Sequence, residues 1–418
     1  MPLQSARMET PFTNFKTVQG LDSGPLSRHI QPYIAHIHEQ GYKPRTIRYH
    51  LQLMANFNRW LVRTGRGLRD LNEPAIEAFL RPLIGRRTWQ AGERPALLRM
   101  LCILREARVT PQAKAVQLTP AQALAAEYRQ YLAKEQGCSD WTVGNYSRHI
   151  DRFLTQLFGA SPVRFERFRA QDVIAFVQRE AGRNGRGYIL QVVTGLRSFL
   201  RFLRYRGDIT TDLAAAVPSV ANWQRTDLPK HLPAHAVQAV LDGCDQTTAV
   251  GRRDYAILLL LARLGLRGGE VVALQLEDID WDNGQLTIRS KKGRGWARLP
   301  LPGDVGRAIS RYLRMDRPRC SCRNVFVRMV APYRRVADCS VISGLTRTAI
   351  LRAGVESARK GAHVFRHSLA TAMLRQGASL DEIGQVLRHR DADTTALYAK
   401  VDLDALRRLA VAWPGGGL

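Results

Sequence analysis

The clearest hydrophobic pattern in the chain lies in GYILQVVTGLRSFLRFLRYRG, residues 187–207. Leu196, Phe199, Leu200 and Leu203 recur at the three- and four-residue spacing of one helix face, which predicts an amphipathic helix. Arg197, Arg201 and Arg204 fall on an adjacent face, and Gly207 supplies a stop. Helical periods at 234–244 and 252–265 predict a further core. Residues 285–301, QLTIRSKKGRGWARLPL, behave differently: Leu286 and Ile288 alternate with Thr287 and Arg289, a basic glycine-containing turn follows, and a second short strand ends at Pro300. That is a hairpin with Lys291, Lys292 and Arg294 near its tip. Ser379-Leu380-Asp381-Glu382 is a capping box opening a helix expected to bury Ile383, Val386 and Leu387, and a last short helix is expected to contain Tyr398.

The first half contains an internal repeat. EQGYKPRTIRYHLQLMANFNRWL (39–61) resembles EQGCSDWTVGNYSRHIDRFLTQL (135–157): Thr46 matches Thr142, Phe57 matches Phe153 and Leu61 matches Leu157. Farther on, AIEAFL (75–80) resembles DVIAFV (172–177) at nearly the same offset. Two similar helical modules account for this, although unrelated helices of like periodicity would share part of it. The stretch 217–233, VPSVANWQRTDLPKHLP, has three prolines and no sustained period, and reads as a linker. The expected organisation is an N-terminal helical module at 1–115, a second at 116–216, the linker, a mostly helical domain with a small antiparallel sheet at 234–402, and a tail at 403–418. The fold class is therefore mainly α.

Composition adds one constraint, the charge. Of 418 residues, 63 are Lys or Arg and 36 Asp or Glu, a formal charge of +27, and the sequence pI is near 10.7. Such an excess points to a polyanionic partner, either nucleic acid or an anionic membrane surface. The charges are scattered rather than gathered in a polybasic tail, so folded faces carry them. The opening MPLQSARMETPF has no apolar core of a signal peptide, and the run Ala256 to Ala262 is too short to span a bilayer. The six cysteines, at 102, 138, 244, 320, 322 and 339, are expected to be reduced thiols of a cytosolic protein. Cys320 and Cys322 lack a matched second pair at zinc spacing, so a loop is the better account.

The chemistry concentrates in GAHVFRHSLATAMLR, 361–375, which has two histidines, an arginine and no acidic residue. His363 and His367 are four apart, a spacing that suits two ligands on one helix face, but Arg366 would repel a cation and no glutamate lies between them. An oxyanion fits better: the guanidinium fork matches a phosphate and a histidine adds a donor or a titratable proton. LARLGLRGGEVVALQLEDID (261–280) adds Arg267 and Glu270, the hairpin adds Lys292, and LRHRDADTTALYAK (387–400) adds His389 and, nine residues later, Tyr398. Taken singly, Tyr398 could be a packed aromatic, His389 a capping residue and Lys292 a solvated turn lysine.

Together these residues resemble the tyrosine recombinase (phage integrase) family, which includes the Xer-type recombinases and transposon and phage integrases. The family pattern is an arginine in a Leu-Arg-x-x-Glu setting, a hairpin lysine, His-x-x-Arg, a later histidine and a tyrosine about nine residues on; all occur here in order. The resemblance extends over most of 120–400, since 120–215 is similar to the family's helical core-binding domain. Three details depart or leave a choice. Gly268-Gly269 follows Arg267 where the family has an aliphatic residue, Arg388 stands where it often has glycine, and Lys291 competes with Lys292 for the lysine position.

The resemblance implies a catalytic set of Arg267, Lys292, His363, Arg366, His389 and Tyr398. Tyr398 would attack a scissile phosphodiester, leaving a 3′-phosphotyrosyl bond and a free 5′-hydroxyl. Arg267 and Arg366 would hold the non-bridging oxygens. Lys292 would protonate the leaving oxygen, His363 would act as acid/base partner of the tyrosine, and His389 would donate to the phosphate. Glu270 would orient the site, and His367 falls outside the pattern as a structural residue. The clustered positive charge is expected to favour the ionised phenol. No metal and no cofactor is called for. The implied partner is double-stranded DNA at specific recombination sites, bound by a homotetramer on two sites or with sister recombinases, and no membrane. Arg197, Arg201, Arg204, Lys291 and Arg294 are the candidate DNA contacts. The tail, DLDALRRLAVAW, would pack on its own domain or dock on a neighbouring subunit. The extra N-terminal module suggests a transposon-type integrase that grips further DNA or a partner. A DNA-binding accessory protein on the same fold, which binds without recombining, is the alternative function.

Overall fold

In this computed structural model, residues 21–83, 92–113, 117–220, 230–289, 295–389 and 392–398 are described. Contacts divide the chain into two units, one of residues 114–227 and one of residues 1–113 together with 228–418. The tip of the hairpin, with Lys291, Lys292 and Arg294, lies outside the described residues, as do the tail and most of the linker.

The described residues of 21–113 include the α-helices α1 (Ile30–Glu39), α2 (Pro44–Arg63), α3 (Glu73–Leu80) and α4 (Glu93–Glu106). Pro44 opens α2 at a position where its missing amide costs nothing. Asn72 caps α3 by accepting from the Ala75 amide at 2.9 Å. Tyr33, Ile47, Met54, Phe57, Ile76 and Leu104 are among the side chains fully withdrawn into the core of this part. The Tyr333 amide donates to the Gln40 carbonyl at 3.1 Å, a link to the later residues of the same unit.

The unit at 114–227 repeats the plan with α5 (Pro120–Lys134), α6 (Asp140–Phe158), α7 (Ala170–Ala181) and α8 (Arg186–Arg206). Thr119 and Gln122 form a capping box at the start of α5. The expected stripe of Leu196, Phe199, Leu200 and Leu203 is buried, and Gly207 closes α8 in the left-handed region (φ 81°), where a side chain would be strained. Phe57 meets Phe79 with ring centroids 4.9 Å apart and tilted by 55°; Phe153 meets Phe176 at 5.0 Å and 65°. These are the two pairs that the sequence repeat aligns, so the repeat extends to the packing of the cores.

The remaining residues form α9 (Ala234–Asp242), α10 (Ala249–Leu264), α11 (Gly268–Ala273), α12 (Gly303–Met315), α13 (Cys339–Arg352), α14 (His363–Arg375), α15 (Leu380–Leu387) and α16 (Ala392–Ala396). A three-stranded antiparallel sheet, β1 (Ile279–Asp280), β2 (Gln285–Arg289) and β3 (Trp296–Pro300), lies between α11 and α12 in order β1-β2-β3. Leu286 pairs with Leu299 and Ile288 with Ala297. Leu286 and Ile288 point into the core, as alternation requires, whereas the two-residue strand β1 was too short to leave a pattern. One expectation needs correction. Val386 is 39% exposed, because the short helix α15 buries only its Ile383 and Leu387 side. Tyr398 lies in a 3-10 turn that continues α16 directly. Among the described residues no helix is long and apolar enough to cross a membrane.

Phe153 has no exposure and touches both Phe168 and Phe176. Phe153→Ala should therefore destabilise the 114–227 unit by about 3–5 kcal/mol, read as a lower midpoint in urea unfolding; a change near zero would mean that this core is loosely packed.

Candidate functional site

The site is assembled from segments far apart in sequence but within one unit. Helix α10 ends at Gly265, whose φ of 56° is left-handed and whose Cβ, if present, would stand 2.7 Å from Leu387. Two residues later Arg267 becomes the N-cap of α11. Its amide donates to Glu270 Oε2 at 2.8 Å, its Nη1 to Glu270 Oε1 at 2.9 Å and its Nη2 to the Arg388 carbonyl at 3.3 Å. Gly268 and Gly269 do not disturb this turn: both are helical, Gly268 backs onto Cys339 and Ile342, and Gly269 faces open space.

Helix α14 carries His363, Arg366 and His367. Arg366 is 3% exposed, and its guanidinium donates to the carbonyl of Gly265 at 2.7 Å and to that of Leu387. Burial, then the positive charges of Arg267 and Arg388, lower its pKa to about 10, so it remains charged at neutral pH. His363 begins the helix, open to solvent on one side. The protein crowded around its ring, followed by Arg366, Arg267 and Arg359, depresses its pKa.

His367 is where the structure departs from expectation. Its Nδ1 lies 2.8 Å from the Tyr398 hydroxyl. Burial, His363, Arg359 and Arg366 lower its pKa to about 4, so at neutral pH the imidazole is uncharged and Nδ1 is free to accept. The Tyr398 ring is 2% exposed and packs with Ala370, Ile383 and Leu387; the packed-aromatic reading thus describes the ring, while the hydroxyl reaches the histidine. The expected favouring of the ionised phenol is not what the site does. Burial outweighs Arg366 and Arg267 and pushes Tyr398 up to about 12. His389 lies parallel to Tyr398, ring centroids 6.3 Å apart, and its Nδ1 is 2.6 Å from the Thr395 hydroxyl. Burial, Arg366 and Arg267 bring it to about 4.

Arg388, the residue in place of the usual glycine, keeps the backbone that a glycine would adopt, with φ 57° and ψ 49°. A non-glycine there costs about 1 kcal/mol. Its Nη2 donates to Glu270 Oε2 at 3.0 Å, so one carboxylate joins Arg267 to Arg388. The buried Arg388 Nε has no hydrogen-bond partner. Arg388, His367 and Arg359 are the site members that sequence reasoning missed or set aside. The four-residue spacing of His363 and His367 was the one local signal for His367. The reach of Arg388 to Glu270 across 118 residues had none.

The candidate DNA contacts differ among themselves. Arg197 Nη2 donates to the Val217 carbonyl at 2.9 Å and Arg204 pairs with Asp212 at 3.0 Å, while Arg201 is exposed. Lys291, Lys292 and Arg294 lie outside the described residues. Among the described residues no group of three or more His, Cys, Asp or Glu is placed to hold a metal ion.

With this geometry in hand, comparison with known proteins identifies the class. Residues 230–404 match the Phage integrase family and residues 125–207 the Phage integrase, N-terminal SAM-like domain. A Sinorhizobium fredii protein named "Putative integrase/recombinase y4rA" is 42% identical over 394 residues, covering 94% of this chain and 95% of that protein. That span includes most of the extra N-terminal module. The post-cleavage complex of the XerH site-specific recombinase with a palindromic difH substrate has a similar fold, with a TM-score of 0.53 at 16% identity, covering 69% of this chain and 84% of that one. A lambda integrase tetramer bound to a Holliday junction gives 0.51 at 15% identity, covering 78% and 85%. The chain belongs to the phage integrase family, the tyrosine recombinases.

Burial raises the Glu270 pKa, but the Arg267 amide and the Arg388 and Arg267 guanidiniums outweigh it and hold the carboxyl below its ordinary value. A depressed carboxyl stabilises the fold above the unfolded-state pKa of about 4.3, and that contribution is lost as pH falls through the folded-state value. The stability gap between wild type and Glu270→Gln should accordingly be full at pH 6 and shrink on acidification toward about pH 3. A gap independent of pH would show that the carboxylate charge is not what joins the two arginines.

Proposed function

We propose that this recombinase cuts and rejoins double-stranded DNA at specific sites through Tyr398, serving the integration, excision or transposition of a mobile element. The observation that carries this reading is electrostatic. Among the described residues, Arg267, Arg366 and Arg388 share one nearby carboxylate, Glu270, and act on Tyr398. The surplus positive charge suits a phosphodiester, which would take up donors of Arg267 and the second ring nitrogen of His389.

In the reaction, Tyr398 Oη forms a bond to phosphorus as the bond from phosphorus to the 5′-oxygen breaks. The phenol proton passes to His367 Nδ1, the ring nitrogen 2.8 Å from the hydroxyl, so His367 takes the role that the resemblance gave to His363. The arriving phosphate carries negative charge next to His367 and offsets the cations that depress its basicity. Lys292 supplies the proton to the leaving 5′-oxygen. The energy of the broken bond is kept in the phosphotyrosine, so rejoining needs neither ATP nor a cofactor. A homotetramer on two DNA sites, or an assembly with sister recombinases, fits the tetrameric lambda integrase of similar fold, with the 403–418 tail available for exchange between subunits. The cytoplasm is the compartment where such a protein meets its DNA.

The test uses DNA flanking the gene, nicked to trap cleavage. Wild type should give a covalent protein–DNA adduct on a denaturing gel, and Tyr398→Phe should bind with affinity within about threefold yet give none. An adduct from the Phe variant would remove Tyr398 as the nucleophile; binding by wild type without any adduct would favour the non-recombining accessory reading.

His367→Ala should slow adduct formation by about 10²–10⁴-fold with DNA affinity nearly unchanged, and a sulfur-for-oxygen leaving group, which bypasses Lys292, should not restore the rate. Restoration by that substrate would place His367 on the leaving-group side instead.

A further inference from the structure

The N-terminal module carries a basic face that the reaction at Tyr398 does not use. Helix α2 contains four arginines and no acidic residue. Arg45, Arg48, Gln52, Asn56, Arg59 and Arg63 are all exposed. At 100° per residue they fall within an arc of about 80° and along about 27 Å of helix. The opposite side of α2 is the buried one, bearing Ile47, Leu51, Met54, Phe57 and Leu61.

Among the described residues no ion pair neutralises this face. Of the module's acids, Glu73 holds Arg105 through two bonds at 2.6 and 2.8 Å, Glu77 holds Arg94 at 2.6 Å, Asp70 accepts from the Gly67 amide at 2.9 Å, and Glu93 accepts from the Tyr49 hydroxyl of α2 rather than from an arginine. Arg59 donates to Asn56 at 2.6 Å, and Arg45, Arg48 and Arg63 have no ion pair or hydrogen bond among the described residues. Four like charges on one helix face repel one another unless an anion lies across them. The repeat sharpens the contrast. The matching positions of α6 include only two arginines, Arg148 and Arg152, and Arg152 is held by Glu180 at 2.8 Å.

We propose that the exposed face of α2 is a second DNA-contacting surface, gripping the phosphate backbone of duplex beyond the segment held at the Tyr398 site. Duplex DNA carries a charge every 1.7 Å or so along its axis, a density that a stripe of this length can meet. The interleaved amides of Gln52 and Asn56 add phosphate donors without adding sequence readout. A protein partner fits less well, since protein interfaces centre on aromatic and aliphatic anchors and the six positions offer none. The inference goes beyond the cleavage reading and stands or falls separately from it.

The experiment compares the full chain with a variant in which Arg45, Arg48, Arg59 and Arg63 are changed to Gln, measuring affinity for a long duplex of arbitrary sequence by fluorescence anisotropy between about 50 and 200 mM salt. The plot of log affinity against log salt should flatten by about 3 to 4. Half-variants, Arg45→Gln with Arg48→Gln and Arg59→Gln with Arg63→Gln, should each give about half of that and guard against a folding defect in the full set. A control removes the same charge from scattered exposed positions of the module, Arg28, Arg69, Arg81 and Arg108, and should flatten the slope by less than about 1. An unchanged slope in the α2 variants, or an equal loss in the control, would overturn the proposal. Because no cleavable site is needed, failure here leaves the Tyr398 test untouched.

Discussion

Arg366 is the buried cation on which the geometry of the site depends. Its two terminal nitrogens donate to the carbonyls of Gly265 and Leu387. Those carbonyls lie at the C-terminal ends of α10 and α15, where backbone acceptors lack helical partners and the helix dipole is negative. One side chain from α14 thereby satisfies two helix ends and joins three helices. The residues that follow those ends are the ones that matter: Arg267 comes two residues after Gly265, and Arg388 and His389 follow Leu387 directly. Their positions are consequences of how Arg366 is bonded.

Around Arg366 burial and charge oppose one another. Burial outweighs the arginines at Tyr398 and keeps the phenol protonated, while the same burial keeps His367 neutral and able to accept. Glu270 is the acid that joins Arg267 to Arg388 and tempers their repulsion without cancelling it. A phosphate entering this field would supply the missing negative charge, relieve the mutual repulsion of the guanidiniums and raise the basicity of the histidines in one step.

The two helical modules illustrate how a repeated core can carry different surfaces. Phe57 with Phe79 and Phe153 with Phe176 make the same contact at nearly the same distance, since buried aromatics must fit their neighbours. The solvent faces are free of that constraint. On α8, Arg197 and Arg204 turn to a carbonyl and an aspartate of their own unit, whereas α2 leaves its arginines exposed.

Much of this was legible in the order of residues. Periodicity located α8, α9 and α10 and the β2–β3 hairpin, because an apolar face must recur with the period of its element. The capping box at Ser379 marked the start of α15. The spaced motif of Arg267, His363, Arg366, His389 and Tyr398 carried the resemblance to the family, because residue type, order and spacing are properties of the sequence itself. The sequence could not reveal which histidine holds the tyrosine, what the arginine in place of glycine does, or whether the phenol is ionised at rest. His367 and Tyr398 are 31 residues apart and Arg388 and Glu270 are 118 apart. Hydrogen bonds at such separations, and the competition between burial and charge that sets a pKa, exist only once the helices have packed.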